Sequence, residues 1–257
     1  MTVVLKKVTN FILLIPLTVI LCVACAPQNS FMYDATPDTN STNNSPYYTG
    51  SEGIFQFTIM SEEVRIDYVT SSDGKITVPK EIQNFVITEI GTYAFYQNHC
   101  TSVELPSTIR SIQSAAFYRC HNIKDITIPG ETVSIDGNPF FRCSGLEDIH
   151  VQPSNTSYSD IDGVLYDSTG TTLIAYPEGK SETMYKIPEG VTKIADESFG
   201  YNSNLETVII PKSVVEFPDY NLFETYEYIL LIVAPGSDAE KYALKYGVPY
   251  CIESLAQ

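Results

Sequence analysis

The feature that most constrains what this 257-residue chain can fold into is a sequence unit with a period of 23 residues. The intervals Pro106 to Pro129 and Pro188 to Pro211 set the period. Each unit has a phenylalanine 11 residues after its proline and closes with alternating apolar residues, as at Ile126 and Ile128. The phenylalanines are Phe117, Phe140 and Phe199. Self-similarity at this period indicates a solenoid of stacked coils.

The single short strand in each unit explains why the units must stack. Alternate side chains of a strand point to the same face, so Ile126 and Ile128 point inward together. One strand cannot bury that face alone, whereas stacked units share a continuous core. The proline after each strand has no backbone N–H and turns the chain out of the ladder. We therefore predict parallel strands, with the phenylalanines on the opposite wall.

The repeats are predicted over residues 82–235, with three irregular units, of which the first, "ITEIGTYAFYQNHCTSVELP", is shifted in register by one residue. Residues 154–188 form a longer unit in which "DGVLYDSTGTTLIAYP" predicts a hairpin about Ser168-Thr169-Gly170. The last unit, "VVEFPDYNLFETYEYILLIVAP", has one extra residue, and we place Ile232 inward and Val233 outward there.

Both ends of the repeat array have the pattern of a cap. Residues 51–81 alternate enough to predict an N-terminal cap built on a hairpin. Residues 236–257 are predicted as the C-terminal cap, with a helix over 238–246 that begins at Ser237 and ends at Gly247. Such caps cover terminal strands that would otherwise invite aggregation.

The stretch "SIQSAAFYRCHNIKDITIP" resembles the BspA-type leucine-rich repeat, and the ending "APGSDAEKYALKYGVPY" resembles that family's closing segment. The resemblance covers about residues 52–254. Pro139 and Ser198 depart from it by replacing the alanine before phenylalanine, and Tyr226 takes the cysteine position. The resemblance implies the α/β class: a leucine-rich-repeat solenoid, strand-rich, with short parallel strands, few helices and capped ends. It also implies a bacterial surface adhesion or interaction module that is not an enzyme.

Residues 1–25 have the pattern of a lipoprotein-type signal peptide, with two lysines before an apolar run. The run ends in "LCVAC", which resembles a lipobox in which Cys25 is lipidated, although Cys22 stands where leucine is usual. Cleavage after Ala24 or Ala26, or an uncleaved anchor, are the alternatives.

Residues 26–50 are rich in Ser, Thr, Asn and Pro and lack apolar periodicity, which predicts a disordered tether. With a lipidated Cys25, the protein would be exported, anchored to the cell membrane by lipid only, and exposed at the surface.

The doublets His99-Cys100 and Cys120-His121, with Cys143, raise the possibility of a metal or redox site. Zinc needs about four converging ligands, whereas Cys120 and Cys143 hold the same inward position one coil apart. Cys100 takes a different repeat position, so the doublets do not correspond. We therefore expect no metal and no cofactor.

A disulfide between Cys120 and Cys143 is the stronger alternative, because equivalent positions in adjacent coils lie about 4.8 Å apart. Their side chains run parallel, however, which is poor geometry for a bridge. We favour buried free thiols, and Cys251 has no evident partner.

The residue between each inward pair should line one open face of the stacked strands. We propose this row as the binding face: Glu104, Thr127, His150, Lys186, Ile209 and Val233. Extended open surfaces of this kind are where solenoids bind partners.

The charge limits the partner. The formal net charge is −16, and it becomes −18 without residues 1–25, which disfavours nucleic acid and anionic lipid as partners.

Three histidines and no G-x-S-x-G motif give catalysis little support. We expect an extracellular or surface protein as the partner. A carbohydrate-binding or cell-wall-associated module is the alternative, since the chain has 18 tyrosines but no tryptophan.

Overall fold

The computed structural model of the protein describes residues 47–223, 226 and 228–253. The signal peptide predicted over residues 1–25, its Cys25, and residues 26–46 of the predicted tether lie outside the described residues.

Stacked parallel strands form one side of the solenoid, which we call the long-strand wall. Its strands are β4 (Gly74–Thr77), β7 (Cys100–Glu104), β9 (Asp125–Ile128), β11 (Asp148–Val151), β15 (Met184–Lys186), β17 (Thr207–Ile210), β18 (Leu230–Val233) and β19 (Tyr250–Ile252). In β9, Ile126 and Ile128 are buried while Asp125 and Thr127 are exposed. This alternation confirms the predicted inward pairs and the strand-rich solenoid with short parallel strands.

A second side of the solenoid, in which most strands have only two residues, forms the short-strand wall. Its strands are β5 (Glu81–Ile82), β6 (Phe85–Ile90), β8 (Ser111–Ile112), β10 (Ser134–Ile135), β14 (Thr172–Ala175) and β16 (Lys193–Ile194). β6, β8 and β10 pair in parallel, as do β14 and β16, while β5 pairs antiparallel with β6. The core lies between this wall and the long-strand wall.

The turns that join the two walls form a third side, the turn wall, and carry the repeat phenylalanines. Each turn bonds to the next through the backbone: Phe95 N donates to Ala116 O at 2.8 Å, and Phe117 N donates to Pro139 O at 2.9 Å. The buried rings of Phe95, Phe117 and Phe140 stack with centroids 4.8 and 5.5 Å apart. The predicted phenylalanine wall is therefore present.

The N-terminal end is closed by three antiparallel strands: β1 (Tyr47–Glu52), β2 (Phe55–Met60) and β3 (Glu63–Val69). The predicted hairpin is β2–β3, and β3 then pairs in parallel with β6. The tether prediction is wrong over residues 47–50, because this polar segment has its backbone paired along β2. A Cβ on Gly50 would lie 2.9 Å from the Phe57 ring, so glycine allows the close approach.

The unit at 154–188 contains β12 (Tyr158–Ile161) and β13 (Val164–Asp167), which pair antiparallel with each other and, through β13, with β14. The hairpin predicted about Ser168-Thr169-Gly170 is β13–β14. Asp167 fixes its turn, because the carboxylate accepts from Thr171 N at 2.8 Å and Thr172 N at 3.1 Å.

The predicted C-terminal helix is present as α1 (Asp238–Tyr246). The Ser237 hydroxyl accepts from Glu240 N at 3.2 Å, and Gly247 ends the helix in the left-handed conformation with φ of 68°. Ala239, Tyr242 and Ala243 are buried against the last coil. In the described residues no helix is long and apolar enough to span a membrane.

Candidate functional site

The predicted binding row lies on the open face of the long-strand wall, but the structure divides it into two parts. His150 is paired in register with Thr127, and Lys186 with Ile209. Between these parts, β11 is hydrogen-bonded to the hairpin unit, because Ile149 N donates to Gly163 O at 2.9 Å. Among the described strands, no ladder joins β11 to β15. The extra length of residues 154–188 therefore interrupts the continuous row that the repeat predicts.

The first part of the row is polar, and its carboxylate, Glu104, is paired within the protein. Glu104 accepts hydrogen bonds from the Lys75 ammonium and from the Thr77 hydroxyl, the latter at 3.1 Å. The Lys75 contact is the main reason that the pKa of Glu104 lies below its usual value. Thr127 and His150 are exposed, as predicted. The charge of Glu104 thus already has partners within the protein.

The second part contains an error in the predicted row. Ile209 pairs with Ile232, and Ile210 pairs with Val233. Val233 is fully buried, whereas Ile232 is half-buried on the outer face. The extra residue of the last unit shifts its strand by one position, and such a shift exchanges the two faces of a strand. Ile232 therefore replaces Val233 in the candidate site.

Around Ile209 and Ile232 the open face becomes apolar. We call this region the apolar end and define it by Met184, Ile209, Leu230 and Ile232. Met184 is 54% exposed, while the other three are half-buried. Aliphatic side chains from three neighbouring strands thus lie on an open surface, flanked by Lys186.

The cysteine position of the repeat serves the fold. Cys120 Sγ donates to Phe95 O and Cys143 Sγ to Phe117 O, both at 2.9 Å. Asn202 holds the same position and donates through Nδ2 to Pro177 O at 3.2 Å. These side chains bind backbone of the preceding coil.

The four thiols that the structure describes are unbridged, as predicted. Cys100, Cys120 and Cys143 are buried and unbridged, and Cys251 is half-buried. Burial raises the pKa of Cys100 to about 12. His99 and His121 are exposed. In the described part of the chain, no three Cys, His, Asp or Glu side chains are placed to hold a metal ion.

The sequence reasoning missed a row of aromatic and cationic side chains on the turn wall. We call it the turn strip: Tyr93, Tyr96, Tyr118, Arg119, Phe141 and Arg142. The rings of Tyr96 and Tyr118 are stacked at 5.7 Å, and those of Tyr118 and Phe141 at 6.1 Å. The sequence signal was available, because Tyr96, Tyr118 and Phe141 each directly follow a repeat phenylalanine.

A groove of about 520 Å³ continues from the end of the turn strip. It is lined by the rings of Phe141, Tyr201 and Tyr220 and by the acidic Asp196 and Glu197. Burial raises the pKa of Glu197, and neighbouring Asp196 adds to the effect.

Glu178 lies beneath the same region and is almost fully buried. Its Oε1 accepts from Arg142 N at 2.7 Å, whereas its Oε2 has no hydrogen-bond partner among the described residues. Burial raises the pKa of this carboxyl group, although the Arg142 contact opposes the shift. Glu178, which belongs to the irregular unit, thus binds the backbone of the preceding coil at Arg142.

A family model described as BspA type leucine rich repeat region matches residues 74–184 and 175–235, with six copies. This match covers more than half of the chain. No curated protein matches the chain.

Several solved structures are similar in part. One is a leucine rich cell surface protein from Faecalibacterium prausnitzii A2-165, at 22% identity and a TM-score of 0.33, covering 67% of this chain and 73% of that one. A leucine-rich repeat protein from Eubacterium ventriosum has 19% identity and a TM-score of 0.47, covering 71% and 64%. The pneumococcal vaccine antigen PcpA has 17% identity and a TM-score of 0.39, covering 72% and 70%.

Proposed function

The chain belongs to the BspA-type leucine-rich repeat family, and on that premise we propose that it is an exported cell-surface interaction module that binds a protein partner and is not an enzyme. A stacked repeat array supplies an extended, rigid surface, which is the general means by which solenoids bind proteins. Specificity then comes from side chains on that surface.

The apolar end is the observation that carries this proposal. A soluble protein places isolated apolar residues on its surface without consequence, but a contiguous group on an ordered sheet marks an interaction site. Here Met184, Ile209 and Ile232 come from three adjacent paired strands, so their positions are fixed relative to one another. Such a pre-organised surface loses little conformational entropy on binding.

Lipidation of Cys25 would attach the module to the membrane, with residues 26–46 as the tether. This part of the proposal rests on the sequence pattern. Metabolic labelling with an alkyne fatty acid tests it: the wild-type chain should carry the label and Cys25→Ser should not. An unlabelled wild-type chain would contradict the anchor while leaving the interaction module intact.

Binding of the full-length protein, purified in detergent, to an array of purified extracellular proteins tests the function. For each protein that binds, we expect Ile209→Lys/Ile232→Lys to weaken the affinity at least ten-fold, because two charges would lie in the desolvated centre of the contact. The matched control is Val133→Lys/Val215→Lys, which adds the same charge at positions that are 62% and 55% exposed elsewhere.

Two results would contradict the proposal in different ways. Equal binding by wild type and Ile209→Lys/Ile232→Lys would show that the apolar end is not the docking site. Absence of any bound protein, with the wild-type protein folded by circular dichroism, would contradict protein binding itself.

The groove beside Tyr201 favours a second candidate, a carbohydrate-binding module. Aromatic rings, carboxylates and the Asn221 amide line the same cavity, and this mixture of apolar and hydrogen-bonding groups suits a small polar ligand. A glycan array separates the candidates: a carbohydrate module should bind a defined glycan and lose it in Tyr220→Ala, whereas Tyr48→Ala in the N-terminal cap should have no effect.

A further inference from the structure

The turn strip differs in charge from the rest of this acidic protein. Its turns, residues 91–101, 113–123 and 137–146, contain no aspartate or glutamate, although the chain has 31 acidic residues. The same turns contain Arg119 and Arg142, with His99 and His121 exposed beside them. These turns therefore carry positive charge within a chain of charge −16, and the exposed carboxylates of Asp196 and Glu197 lie beyond them, in the groove beside Phe141.

Neither guanidinium of the turn strip lies within salt-bridge distance of a carboxylate of the described residues. Arg119 lies over the Tyr118 ring at 5.3 Å, and Arg142 lies over the Tyr201 ring at 4.3 Å and donates to the Tyr201 hydroxyl at 2.8 Å. Glu178 accepts from the backbone of Arg142, and is buried below the surface. The aromatic rings thus orient the guanidinium groups, which have further N–H groups that can donate to a partner.

The aromatic rings of the turn strip cover part of one another's faces. Tyr96 and Tyr118 stack with an interplanar angle of 7°, and Tyr118 and Phe141 with one of 25°, so both faces of the middle ring, Tyr118, lie against a neighbouring ring. Tyr93, half exposed, meets Tyr118 edge to face. The edge of an aromatic ring carries positive partial charge, whereas its face is negative. Edges, phenol hydroxyls and guanidinium groups together favour carboxylate ligands.

We infer that the turn strip is a second interaction surface, and that it binds an acidic segment of a partner protein. The composition fits a protein interface, in which tyrosine, phenylalanine and arginine are enriched and aspartate, glutamate and lysine are depleted. The covered ring faces argue against sugar stacking as its main mode of contact. This surface lies on the turn wall and does not depend on the apolar end.

A fluorescent peptide of ten glutamates is the probe, and anisotropy with the full-length protein in detergent is the measurement. We expect saturable binding at 50 mM salt that weakens several-fold at 300 mM, because the contact is electrostatic. Arg119→Gln/Arg142→Gln should reduce the affinity at least ten-fold, whereas Arg119→Lys/Arg142→Lys should retain part of it. The matched control Lys193→Gln/Lys241→Gln removes two exposed charges elsewhere and should change the affinity less than two-fold.

Folding is controlled separately, since Arg142 also holds Tyr201. Arg119→Gln alone, whose guanidinium lies over the ring of its neighbour Tyr118, should weaken binding at an unchanged Tm. Equal peptide binding by wild type and both glutamine variants would overturn the inference. So would binding of polygalacturonate, an acidic glycan, under conditions in which the glutamate peptide does not bind.

Discussion

Replacing Asn202 with alanine tests how one coil is held to the next. The buried Asn202 amide makes four hydrogen bonds: Nδ2 donates to Pro177 O at 3.2 Å and to Lys180 O at 3.0 Å, and Oδ1 accepts from Asn204 N at 2.8 Å and Leu205 N at 2.9 Å. Each such bond contributes about 1 kcal/mol net, and backbone groups left unpaired in the interior cost more. We therefore expect Asn202→Ala to lower the free energy of unfolding by about 3–5 kcal/mol.

The equivalent change at Cys120 supplies the comparison. Cys120 Sγ donates to Phe95 O, and a thiol is a weak donor. Cys120→Ala should cost about 1–2 kcal/mol, combining this bond with a small cavity. The exposed Asn122, which makes one bond to His99 O, is the control, and Asn122→Ala should cost under about 1 kcal/mol.

Urea unfolding followed by circular dichroism measures these differences. A loss of about 3–5 kcal/mol is a large share of a typical domain's stability of about 5–15 kcal/mol. The loss should also be visible as a lower midpoint in thermal unfolding. If Asn202→Ala costs no more than Cys120→Ala, the idea that this side chain joins coils through several backbone bonds is refuted.

Two further predictions concern buried ionisable groups. Burial raises the pKa of Glu178 in the folded state, so the stability that this group contributes is lost as the pH rises above 4.5, its ordinary pKa. In urea titrations over that rise, wild type should lose stability relative to Glu178→Gln. A constant difference in stability between the two proteins would contradict the assignment. Native alkylation at pH 8, read by mass spectrometry, should modify Cys251 readily and the three buried thiols only after unfolding. A reducible bridge between Cys120 and Cys143 would contradict the second prediction.

The repeat period determines much of this fold from sequence alone. Proline, phenylalanine and alternating apolar residues recur at fixed spacings, so the strand positions, the inward side chains and the stacked phenylalanines follow from local rules. The C-terminal helix is equally local, because Ser237 and Gly247 provide its cap signals. Thr127, His150 and Lys186 were correctly placed on the outer face for the same reason.

The errors arise where the period changes. One extra residue in the last unit moved Val233 into the core, and the long unit at 154–188 separated His150 from Lys186. β1 was missed because its pairing depends on backbone contact with β2, which leaves no apolar period. The turn strip was missed because its residues become neighbours only when coils stack, so their shared charge and ring contacts are properties of the assembled wall.

Hydroxyl-radical footprinting with a protein identified on the array tests the central claim, that the apolar end contacts a protein partner. Labelling of Met184, Ile209 and Ile232 should fall when the partner is added. Tyr48 and Leu244, which are 57% and 58% exposed on the two caps, should keep their labelling. Unchanged labelling at the apolar end, with protection elsewhere, would contradict the account.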